Sequence, residues 1–191
     1  MKKGLLIILS GPSGVGKGCV RQEIMNMNKV QLTYSISMTT RERRDKEVDG
    51  RDYYFVSDEE FQNNIDKGNF LEWANFVGHR YGTPKDKVEQ LRDAGKNVFL
   101  EIEINGASQV LSKVKDDRVI SIFLMPPSFA ALEKRIRKRK TESEDIIQER
   151  LQKGLKEMTM TENYDHVVIN DKVERAAQEI VDLIKAKLKK R

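Results

Sequence analysis

One cysteine, one tryptophan, two histidines and four prolines are all that this chain of 191 residues holds of those types, and each scarcity closes off a class of protein. A lone Cys19 excludes an internal disulfide, and with it the stapled frameworks of small secreted domains. His79 and His166 stand far apart with no partners at metal-ligand spacing, so neither is assigned a role. No apolar run approaches the roughly 20 residues of a membrane helix, and no charged-then-apolar leader is seen, which makes a cytoplasmic protein without a membrane partner the expectation. Low-complexity linkers and internal repeats are missing as well. Charge is plentiful in both signs, 35 Lys and Arg against 30 Asp and Glu, and the net +5 is too mild to mark a nucleic-acid binder. The basic Lys185 to Arg191 is expected to complement the end of a helix.

The 38% hydrophobic content and the length suit one compact domain with insertions. Apolar runs at Leu5 to Leu9, Val98 to Ile104, Val119 to Leu124 and His166 to Ile169 are short and partly β-branched or aromatic. Helix-compatible stretches separate them: Lys17 to Met27, Lys85 to Ala94, Gly106 to Val114, and the segments after Pro127 and Asp171. That alternation predicts an α/β fold with a buried parallel sheet, whose ligands collect at the carboxyl ends of the strands. Between the first run and the first helix stands Gly11-Pro12-Ser13-Gly14-Val15-Gly16-Lys17, with Gly18 and Cys19 following. Glycine, four residues, glycine and lysine, placed between strand and helix, is the phosphate-binding loop pattern. Its backbone N–H groups turn toward the phosphates of a nucleotide, and Lys17 reaches the β- and γ-phosphates.

Residues 34 to 83 break the rhythm. Tyr34 to Met38, Asp52 to Val56 and Phe70 to Ala74 alternate as short strands around a single helix near Asp58 to Lys67, which Asp58 is expected to cap and Gly68 to stop. This predicts a small inserted β-rich subdomain. After Pro126-Pro127, Ser128 is expected to cap a basic helix in which Leu132 and Ile136 face the core while Arg135 and Arg139, also four apart, project together. A second helix from about Ser143 to Met160 would carry Arg150 to the same ligand if the two helices form a hairpin over the loop.

These motifs together resemble the nucleoside monophosphate kinases of the phosphate-loop class, and within them the guanylate kinase family. The resemblance covers nearly the whole chain. It rests on Ser10 to Gly18, Ser35 to Arg41, Glu47 to Tyr53, Phe70 to Ala74, Tyr81-Gly82-Thr83, Leu100 to Glu103, Pro126 to Ser128 and Val168 to Asp171. It implies a phosphate-loop NTPase-type parallel sheet flanked by helices, with core 1–33, 84–125 and 165–191, a GMP-binding insertion 34–83 and a helical lid 126–164. The implied reaction moves the γ-phosphoryl of ATP to GMP, with dGMP as a further acceptor and magnesium as cofactor. Self-association is left open.

By the same resemblance, ATP is held by Gly11, Pro12, Ser13, Gly14, Val15, Gly16, Lys17, Gly18, Cys19 and Asn170. GMP is held by Ser37, Arg41, Arg44, Tyr53, Glu72, Tyr81, Thr83 and Glu103. Lys17, Arg44, Arg135, Arg139 and Arg150 surround the transferred group, and Glu101 belongs to the water shell of magnesium. The chemistry agrees: one carboxylate accepts from guanine N1–H and the exocyclic amine together, and a hydroxyl donates to O6. Two features depart from the pattern. Gly18 and Cys19 stand where phosphate-loop proteins carry Ser or Thr, which removes a hard oxygen ligand, and Lys138 and Lys140 flank Arg139 where the family commonly has glycines. A scaffold module that binds phosphorylated peptides, or a kinase of AMP or dTMP, are the rival expectations.

Overall fold

The computed structural model describes residues 2–76, 78–138 and 143–190. Five strands, β1 (Leu6–Ser10), β2 (Thr33–Tyr34), β7 (Val98–Glu101), β8 (Val119–Met125) and β9 (His166–Ile169), form one sheet in the order β2-β7-β1-β8-β9. Every pairing in it is parallel. Side chains alternate across β1: Leu5, Ile7 and Leu9 pack with Val20, Ile24, Ile180 and Ile184, while Leu6 and Ile8 pack with Val88, Leu100 and Val110. The first layer is supplied by α1 (Lys17–Met27) and α7 (Val173–Lys189), the second by α3 (Lys85–Asp93) and α4 (Ile104–Lys113). Because both faces are covered, β1 reads as an unbroken apolar run.

The second sheet holds β3 (Met38–Thr39), β4 (Tyr54–Phe55), β5 (Phe70–Phe76) and β6 (His79–Pro84) in the order β4-β3-β6-β5. The run Tyr34 to Met38 therefore divides, its start pairing with β7 in the main sheet and its end entering the small one. Helix α2 (Asp58–Asp66) is capped one residue earlier than expected: Ser57 Oγ accepts the Glu60 N–H at 3.1 Å, while Asp58 opens the helix and pairs with Arg80 at 2.7 Å. Gly68 ends the segment at φ +66°. The run from Val98 also divides, since the strand stops at Glu101 and Ile104 begins α4.

Helices α5 (Phe129–Lys138) and α6 (Glu144–Glu157) pack together through Leu132, Ile136, Ile147 and Leu151. Ser128 Oγ accepts the Ala131 N–H at 3.1 Å, which is the expected cap. Leu132 and Ile136 are fully buried, as expected, but in a core the hairpin builds for itself. Gly154 makes the close packing possible, because a Cβ there would fall 2.9 Å from the Leu132 side chain.

Candidate active site

The loop from Gly11 to Lys17 leaves the carboxyl end of β1 and runs into the start of α1. Gly11, Gly14 and Gly16 all have positive φ, at +148°, +87° and +101°. At Gly11 a Cβ would lie 2.3 Å from the Leu124 carbonyl oxygen, and at Gly16 one would lie 2.8 Å from the Asn170 amide, so the loop needs glycine there even before a phosphate arrives. No side chain caps α1 and no acidic residue sits in its first turn. Its first amides, with the helix dipole behind them, are left to an anion.

Lys17 Nζ donates to the carbonyl oxygens of Gly11 at 2.6 Å and Pro12 at 3.3 Å. Burial pushes its ammonium below the usual lysine range, opposed by the carboxylates of Glu103, Glu101 and Glu157. Arg135 points onto the loop and not to solvent: its Nη1 donates to Val15 O at 2.9 Å and its Nη2 to Asn170 O at 2.6 Å. The Asn170 Nδ2 donates to the same Val15 oxygen at 2.8 Å, and its buried Oδ1 has no protein partner. Arg150 Nη2 donates to Ser13 Oγ at 3.1 Å. Arg139 and Lys140 lie outside the described residues. Cys19 is exposed.

A recess of about 290 Å³ is lined by, among others, Tyr34, Ser37, Tyr53, Glu72, Tyr81, Glu101 and Glu103. Antiparallel pairing sets Glu72 of β5 opposite Thr83 of β6, and Thr83 Oγ1 donates to Glu72 Oε1 at 2.6 Å. Glu72 is only 7% exposed. Burial raises its carboxyl above the ordinary range, against the Thr83 hydroxyl bond and the charge of Lys113. Space for it comes from α4, where a Cβ on Gly106 would come within 2.7 Å of Glu72 Oε2. The same helix pins β5 to the core: the Gln109 amide exchanges hydrogen bonds with the Trp73 backbone, and Lys113 Nζ donates to Leu71 O at 2.8 Å.

At the rim, Arg41 Nη2 pairs with Glu47 at 2.7 Å and its guanidinium stands 5.6 Å from the Tyr53 ring centroid. Arg44 is exposed, and its N–H donates to the same Glu47 at 2.9 Å. Tyr53 and Tyr81 meet edge to face. Glu101 accepts from Arg21 Nε at 2.7 Å, and that guanidinium lies 4.6 Å from the Tyr34 ring centroid. Burial, and then the negative charge of Glu101, push the Tyr34 phenol up to about 12. Tyr34, Glu47, Gly106 and Glu157 are among the contributors that escape sequence reasoning. Glu47 lies inside a recognised motif and was the one with a signal to follow.

A phosphate loop at the end of the central strand of a parallel sheet, with a buried carboxylate and hydroxyl paired in a separate cleft, defines a nucleotide-binding protein of the phosphate-loop class. The family profile described as Guanylate kinase matches residues 3–187, and the chain belongs to the guanylate kinase family. The guanylate kinase of Mesoplasma florum is 53% identical over 182 residues, which are 95% of this chain and 61% of that relative. That of Lactiplantibacillus plantarum is 50% identical over 185 residues, 97% of this chain and 89% of the relative. The crystal structure of guanylate kinase from Anaplasma phagocytophilum aligns at a TM-score of 0.76 and 31% identity, covering 99% of this chain and 88% of that one.

Proposed function

We propose that the chain transfers the γ-phosphoryl group of ATP to GMP, giving ADP and GDP. The buried Glu72 and Thr83 pair carries the choice of acceptor. Guanine offers N1–H and an exocyclic amine side by side to one carboxylate, and its O6 accepts from a hydroxyl of Ser37 or Thr83. Adenine reverses both edges and leaves a buried charge unpaired, a mismatch that costs a factor of about 10⁴ or more in a site built this way. Arg41, Arg44, Tyr53 and Tyr81 receive the GMP phosphate, and Glu103 stands on the guanine side.

ATP phosphates enter the loop, Gly11 to Cys19, and Lys17 exchanges its loop carbonyls for the β- and γ-oxygens. Arg135, Arg139 and Arg150 complete a cationic surround, which an in-line phosphoryl transfer needs more than it needs a nucleophile. Asn170 braces the loop from the adenine side. The described residues hold no cluster of three His, Cys, Asp or Glu able to cage a metal. One carboxylate, Glu101, stands 3.6 Å from where a Cβ of Gly18 would be. That donor set fits a magnesium ion carried in by the nucleotide and held through water, with Glu101 as its acidic neighbour. When bound, the ion would offset the negative charge of the nucleotide's phosphates.

A coupled assay offering GMP, AMP and dTMP at saturating ATP and magnesium tests the proposal. GMP should be the efficient acceptor, and absence of ADP release with GMP would refute it. Lys17→Ala should lower kcat by about 10³ with the circular dichroism spectrum unchanged.

A further inference from the structure

We propose that Glu157, at the end of α6, is a positioning residue that holds the first half of the phosphate loop ready for ATP. The inference rests on the loop being the seat of ATP. The two halves of the loop are pinned differently. Val15 is fixed from below by Arg135 and Asn170, both donating to its carbonyl oxygen. Gly11 and Pro12 are held by Lys17 alone among the described side chains, and that lysine must leave them to reach a phosphate. Ser13 is what remains, between Pro12 and a Gly14 of positive φ.

Two side chains of α6 take hold of it. Arg150 donates to its hydroxyl at 3.1 Å, and Glu157 Oε2 accepts its N–H at 3.3 Å. Residues seven apart lie two turns apart on one helix face, so a single rigid surface grips the side chain and backbone of one loop residue. Glu157 is 6% exposed, and its Oε1 lies 3.5 Å from Lys153, whose ammonium also stands 3.7 Å from Glu103 of the other cleft. A carboxylate this buried, accepting an N–H of the loop, is placed to fix backbone.

Glu157→Met and Glu157→Gln separate this from ordinary packing. Methionine fills the volume without an acceptor, whereas glutamine keeps a carbonyl oxygen for the Ser13 N–H. KM for ATP should rise about tenfold in Glu157→Met, stay within about threefold of the parent in Glu157→Gln, and leave KM for GMP within about twofold in both. A purely structural role would lower the active fraction, and so Vmax, with both KM values unmoved. Equal effects of Met and Gln, or equal shifts in the two KM values, would overturn the proposal. Lys17→Ala, measured for both ATP affinity and kcat alongside, tells the two assignments apart: if that variant keeps both, the seat of ATP is wrong and not merely the role of Glu157.

Discussion

Glu72 sits in the folded chain at a desolvation cost that the Thr83 hydrogen bond and the charge of Lys113 offset only in part. Desolvation favours its protonated form, so the folded state binds a proton that the unfolded chain has already released, over the pH window above the ordinary carboxylate pKa. Stability falls as pH rises through that window, and the loss is complete above the raised folded pKa. Glu72→Gln removes the titration and should raise the thermal midpoint at pH 7 by about 2–4 °C, a gain that shrinks as the pH is brought down toward 4. The same variant should raise KM for GMP by about 10² and leave KM for ATP within twofold. Calorimetry across pH and two-substrate kinetics check both halves, and a midpoint lower than the parent's at pH 7 would count against the desolvation account. Glu72 and Thr83 were legible because each stands in a short, ordered motif. Glu157 was not, since nothing local distinguishes it from the other acids of an amphipathic helix, and its meaning comes from Ser13, 144 residues away.

At the level of elements, Arg92 joins three pieces of the core that no motif connects. It is fully buried at the end of α3, donates to Gly4 O and Arg118 O, and pairs with Asp116 at 2.8 Å and Glu89 at 3.1 Å. The approaches to β1 and β8 are thereby tied to one helix. Arg92→Met leaves those carbonyls and the half-buried carboxylates without their donor and should cost about 2–3 kcal/mol in urea unfolding, with both KM values unchanged. A loss below about 0.5 kcal/mol would mean that the network is ornamental. Element identity was readable from hydrophobic period, and the ends less so: Ser57 took the cap expected of Asp58, and Ile104 left the strand for the helix. Such ends are settled by which backbone groups find partners, and several candidates stood within one residue of each other.

For the whole molecule, the phosphate loop leaves the parallel sheet, the recess beside Glu72 is walled by Tyr34 and Glu101 of that sheet and by Glu72 and Tyr81 of the smaller one, and the proposed phosphoryl transfer requires reacting atoms about 3–3.5 Å apart and water kept out. Binding of GMP together with an unreactive ATP analogue should therefore shrink the radius of gyration measured by solution scattering, and superimposable curves for free and doubly liganded protein would argue against closure. The sequence alone settled what depends on chain neighbours: the strand-loop-helix of the phosphate-loop pattern, its glycines, the buried strands as apolar runs and the cap at Ser128. Tertiary structure alone decided the order of the strands, the room Gly106 leaves for Glu72, the turning of Arg135 onto Val15 and the hold of α6 on Ser13. The division has one physical cause. Backbone propensity is local, whereas the desolvation of a charge and the partner that compensates it are fixed only when distant segments pack together.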